Sequence, residues 1–85
     1  MAKADWLEVW IDDWESLIET QNRNIQSELQ AGFKWTGRHV QHEVEILKEF
    51  DRKYRAGLEA FKYMNENEVQ RWCYFDLLKR GAITR

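Results

Sequence analysis

Residues 5–30 read DWLEVWIDDWESLIETQNRNIQSELQ, and the spacing of their apolar positions decides the fold. Asp5 followed three residues on by Glu8 has the form of a capping box, so a helix is expected to begin at Trp6. At ~100° per residue, Leu7, Ile11, Trp14, Ile18 and Ile25 fall on one line, and Trp6, Trp10 and Leu17 widen it into an arc of roughly 140°. An arc that wide touches two neighbouring elements. Its strongest part is the ridge Trp6, Trp10, Trp14. Such a ridge serves either as core, within one chain or across a self-association interface, or as a cluster that grips a partner. Asp12 and Asp13 beside it read as solvated flanking charges.

The second half of this stretch is more polar. Thr20, Gln21, Asn22, Arg23 and Asn24 interrupt the stripe before Ile25 and Leu29 resume it. Gln21 is then a polar member of a helical seam, a position that lowers stability while fixing register or oligomeric state.

Working outward, Gly32 is a helix stop, and Phe33, Lys34, Trp35, Thr36 and Gly37 form a short connection of the kind that joins antiparallel helices. Thr36 is expected to cap a second helix over about 37–64, with Val40, Val44, Leu47, Phe50, Tyr54, Leu58 and Phe61 as its stripe and Ile46, Gly57 and Met64 on its flanks. Asn65 with Glu68 restarts the chain into a shorter third helix over about 67–80, ending at Gly81 with Lys79 and Arg80 in its last turn. Trp72, Cys73, Tyr74, Phe75, Leu77 and Leu78 leave that helix little polar surface, so burial on several sides is expected. A kinked continuation of the second helix is the alternative, because Asn costs less than ~1 kcal/mol in a helix.

The reading is therefore all-α, one domain over 1–85: a long antiparallel hairpin plus a shorter third helix, assembled as a helical oligomer. The oligomer follows from length. Helices of ~25 residues run close to ~40 Å, whereas a compact chain of this size has a radius of gyration near ~12 Å. The surplus apolar length is expected to pack against a second copy.

Composition narrows the function classes. Aromatic residues make up 14% of the 85 residues and charged ones 33%, a pairing that orders a chain because large rings repay folding entropy. Proline is absent, which removes the strongest helix breaker. A single cysteine, Cys73, excludes an internal disulfide and suits a reducing cytoplasm; its aromatic neighbours make it a packing residue rather than a nucleophile. No apolar run nears the ~20 residues that cross a bilayer, so the chain reads as soluble, with no membrane partner. The net charge of −2 is uneven, with Asp5, Glu8, Asp12, Asp13, Glu15, Glu19 and Glu28 against Lys3 and Arg23 in the first 30 residues. That acidic face keeps the chain soluble or seeks a basic partner.

Constellations that carry chemistry are sparse. His39 and Glu43 share a helix face, but His42 lies well round it and no further ligand is in register, so no metal and no cofactor are expected. Lys34, Trp35, Thr36 and Arg38 combine a helix N-terminus with fixed cations and a stacking ring, a low-grade site for a phosphate or nucleotide. The contrary reading folds Trp35 back over the hairpin end, with Thr36 a plain cap. Lys48, Arg52, Lys53, Arg55 and Lys62 make a basic strip that Glu45, Glu49 and Glu59 interleave, and a pI near 5.7 argues against nucleic acid.

No enzyme signature emerges. In size and helical economy the chain looks like the small accessory proteins of bacteria and phages, which often act by occluding a larger protein. The expected function is a non-enzymatic interaction protein, a self-associating adaptor or inhibitor whose partners are itself and a larger protein. Trp6, Trp10, Trp14, Asp12, Asp13 and Gln21 are its candidate contact residues. The alternatives are an oligomeric module that sequesters a nucleotide or other phosphate compound near Trp35 and Arg38, and, less favoured, a nucleic-acid-binding regulator.

Overall fold

A computed structural model describes residues 5–84 as three helices and no strands: α1 Trp6–Gln30, α2 Arg38–Phe61 and α3 Glu66–Lys79. Each boundary has a local cause. The Asp5 carboxylate accepts from the Glu8 N–H, as the capping pattern requires. At α3, Asn65 accepts from the Glu68 N–H while its own amide donates back to the Glu68 carboxylate. That reciprocal cap, with residues 62–64 lying outside helix, makes α3 a separate element rather than a kinked extension of α2.

The C-termini of α1 and α3 close in the same way. Gly32 (φ 100°) and Gly81 (φ 75°) take the left-handed conformation that a side chain disfavours. Beyond them the Phe33 N–H donates to the Glu28 carbonyl and the Ala82 N–H to the Leu77 carbonyl, the paired closure of a Schellman motif.

Two expectations need correction here. Thr36 does not cap α2: the Gly37 N–H donates to the Lys34 carbonyl and completes a tight turn first, so the N-cap falls on Gly37, which has no side chain to accept a bond. The expected end at 64 is also too late, since α2 ends at Phe61.

Trp10 is the centre of the core, with no exposed surface. Its indole meets Trp14, Tyr54, Phe61 and Trp72 at centroid separations of 6.3, 5.5, 5.0 and 5.6 Å, mostly edge to face, the geometry the ring quadrupole favours. Val69, Cys73 and Leu77 complete this core from α3 at four-residue spacing. Only that stripe of α3 is buried. Phe75 lies on its open side, 56% exposed, so the helix is not sheltered all round as its composition suggested.

Polar bonds tie α3 down onto α1. The Trp10 Nε1–H donates to Asp76 Oδ2 at 2.8 Å, Arg80 Nε donates to the same oxygen at 2.9 Å, and Arg80 Nη1 reaches Asp13 Oδ2 at 2.6 Å. The Arg80 guanidinium also lies over the Trp14 ring, 4.3 Å from its centroid. Further along the hairpin, Ile25 and Val40 are buried near the turn.

The outline measures 49 × 27 × 17 Å with a radius of gyration of 15.8 Å, well above the ~12 Å of a compact chain. The long-hairpin expectation holds in this respect. Yet Trp10, Trp14 and Val40 are sheltered inside one chain, and Trp6, Val44 and Tyr54 are half-buried, so a second copy is not required to keep the central tryptophans from water. No helix among the described residues is long and apolar enough to cross a membrane.

Candidate functional site

The end of the molecule where α1 begins carries a groove of about 940 Å³, lined by Asp5 and Trp6 on one side and by Glu66, Asn67, Gln70, Arg71, Tyr74 and Phe75 on the other. Its wall is a run of aromatic rings. Trp6 and Tyr74 lie 4.8 Å apart between centroids, and Tyr74 and Phe75 lie 5.6 Å apart. Both pairs are tilted, which presents ring edges and faces together.

Gln70 sets the width of this groove. Its side-chain oxygen accepts from the Trp6 N–H at 2.6 Å, and its amide donates to Asp5 Oδ1 at 2.9 Å. The first turn of α1 leaves its N–H groups without helical partners, so a carboxamide one turn into α3 can satisfy one of them and lock the two helices at a fixed separation. The Gln70 amide is the main influence, followed by the Glu8 N–H, that holds the Asp5 carboxyl below its ordinary 3.8. Asp5 is thus a fixed anion on the rim, with Glu66, while Arg71 supplies a cation.

The sequence ridge divides in the structure. Trp6 reaches the groove, but Trp10 and Trp14, 0% and 3% exposed, are internal and present nothing to a partner. The reason is the breadth of the arc: its centre is covered by α2 and α3 together, and only its first residue remains at the edge. Asp12 is exposed as read, whereas Asp13 is not a free flanking charge, because Arg80 from the end of α3 pairs with it. Gln21 is 7% exposed and works within the chain: its amide donates to the Glu43 carbonyl at 2.9 Å and to Glu43 Oε2 at 2.5 Å, so the seam it pins is that of α1 with α2.

The phosphate-type constellation is spread over the turn. Lys34, Trp35, Thr36 and Arg38 are all exposed, and none of them lines the groove at the start of α1. Trp35 is 54% exposed instead of folding back over the hairpin end; its carbonyl accepts from the Gln41 amide, which draws the backbone rather than the ring onto α2. Along the basic strip, Lys48, Arg52, Lys53, Arg55 and Lys62 each have a carboxylate of α2 within 4.0 Å.

Gln70, Arg71, Tyr74 and Phe75 escaped the sequence reading. The available signal was that α3 carries large rings at more positions than a single stripe can bury, Phe75 being two residues from both Cys73 and Leu77. No family model, curated protein or solved structure matches the chain.

Proposed function

We propose that this chain is a non-enzymatic helical interaction protein, an adaptor or inhibitor that seats an apolar segment of a larger protein in the groove between α1 and α3 and so occludes it. The observation that supports the reading is the continuous aromatic wall Trp6, Tyr74, Phe75, rimmed by Asp5, Glu66 and Arg71. Clustered, partly exposed aromatics with a charged border have the composition of an interface centre and its rim. The acidic residues of α1 that remain exposed, Glu8, Asp12 and Glu15 among them, extend that border toward a basic partner surface.

The test uses the full chain and a Phe75→Ser variant, whose exposed position leaves the core intact. A partner retained from the native host by the first and lost by the second, with unchanged helical circular dichroism, supports the reading. Equal retention by both overturns it.

Self-association is favoured by a separate observation. α3 spans 14 residues against the 25 of α1, so the turn half of the hairpin lies beyond its cover, and Phe33 and Trp35 are exposed there. Light scattering at micromolar protein separates the cases: a monomer removes the second copy from the reading and leaves the groove untouched. The phosphate-binding alternative rests on Lys34 and Arg38 beside an α2 N-terminus that lacks a side-chain cap, and thermal stabilisation by inorganic phosphate that Arg38→Ala abolishes would put it first.

A further inference from the structure

At the far end of the hairpin from the groove, the last turns of α1 and the first turns of α2 bring together Glu28, His39 and Glu43. One ligating atom from each of the three lies within 4.8 Å of the others. We propose that these residues form a binding site for a divalent transition-metal ion of the zinc class.

Four observations bear on the site. His39 Nε2 lies 2.9 Å from Glu28 Oε1, so the ligating nitrogen is already within reach of the carboxylate. The second oxygen of that carboxylate, Glu28 Oε2, is sealed from solvent and has no hydrogen-bond partner among the described residues. An ionised oxygen buried in that way is costly unless a charge or donor meets it, and a cation between the three side chains supplies that charge. Glu43 is held from behind by the Gln21 amide, itself 7% exposed, which is the outer support that ligating carboxylates carry. The Phe33 ring lies against the imidazole of His39, with the ring centroids 5.2 Å apart.

The ligand chemistry selects the ion. Imidazole nitrogen with two carboxylates suits zinc and its neighbours and disfavours calcium and magnesium, which take oxygen donors. Bonds of ~2.1 Å at a tetrahedral angle place ligand atoms roughly 3.4 Å apart, so rotamer adjustment of less than ~1.5 Å closes the set. The ion takes the lone pair of His39 Nε2 and lies between that nitrogen and the carboxylate, any proton on Nε2 passing to solvent. Three protein ligands leave a fourth position open to water, because His39 is more than half exposed. The sequence pointed away from this site since His39 and Glu43 alone are in register on α2; the third ligand comes from α1 and is 11 residues distant from His39, across the turn.

Zinc chloride titrated calorimetrically into the full chain tests the proposal, with cobalt chloride absorption as the check on geometry. Saturable binding of one ion per chain, a raised thermal midpoint and tetrahedral cobalt bands are expected. His39→Ala, Glu28→Gln and Glu43→Gln should each weaken zinc by at least ~10-fold, while His42→Ala, which alters an exposed histidine outside the cluster, leaves affinity unchanged. Helical circular dichroism confirms that each variant folds. Absence of saturable zinc binding by the wild-type chain, or equal loss in His42→Ala and His39→Ala, overturns the assignment.

Discussion

The indole of Trp10 occupies the space where a side chain on Gly57 would begin: a Cβ built on Gly57 lies 2.6 Å from two atoms of that ring and 3.5 Å from Trp72. Ala is favoured over Gly by ~1 kcal/mol inside a helix, so Gly57→Ala would stabilise an isolated α2. In the protein, the neighbour is a fully buried indole ring and not the free end of a flexible side chain. Overpacking of ~1–3 kcal/mol exceeds the helical gain, and net destabilisation is expected, read as a lower urea midpoint. A midpoint equal to wild type or higher would show that Trp10 can move.

Asp76 serves two donors at once, the Trp10 indole and Arg80. Replacing it with Ala leaves the buried Trp10 Nε1–H without a partner and frees Arg80 from one of its carboxylates. A loss of ~1–3 kcal/mol is expected for the unsatisfied donor alone. Arg80→Ala in the Asp76→Ala background should cost less than in wild type, since the two residues share one network, and a double-mutant cycle measures that coupling.

Burial, reinforced by Asp76 and then Asp5, pushes the Cys73 thiol up to about 11 from an ordinary 9.0. Between these values the native chain holds a proton that the unfolded chain releases. Stability therefore falls as pH rises through that window, by at most about 1.4 kcal/mol per pH unit. Urea midpoints across the range should decline in wild type and decline less in Cys73→Ala. Near neutral pH the native thiol should resist a disulfide reagent that modifies it at once after unfolding.

Asp5 gives the opposite dependence. Its folded carboxyl titrates below 3.8, so its contribution is fully present above that value and is lost as pH falls through the folded pKa. Asp5→Asn keeps a cap acceptor and removes the charge. The stability gap between wild type and variant should narrow as pH drops to about 3, and a gap independent of pH would show that the charge plays no part.

Legibility followed distance along the chain. The start of α1 at Trp6, the stop near Gly32 and the reciprocal cap at Asn65 and Glu68 were readable because each depends on residues three to five apart. Thr36 was misread for a related reason: both it and Gly37 satisfy the local pattern, and only the turn closed by the Gly37 N–H on Lys34 decides which one caps. Trp6, Trp10 and Trp14 were correctly placed on one face, but the same face supplies core and groove, and no local rule divides it.

What the sequence by itself determined was an all-helical chain, two long amphipathic stretches followed by a shorter and more apolar one, since backbone hydrogen bonding and side-chain periodicity act over one or two turns. What only the tertiary structure decided was which side chains meet across helices. Arg80 finds Asp13 across 67 positions, Gln70 clamps Trp6 across 64, and Glu28 faces His39 over the turn. Such meetings depend on where a helix sits on its neighbour and at what rotation, and that is fixed by how rings as large as Trp10 fill space against a glycine, which no stretch of sequence encodes alone.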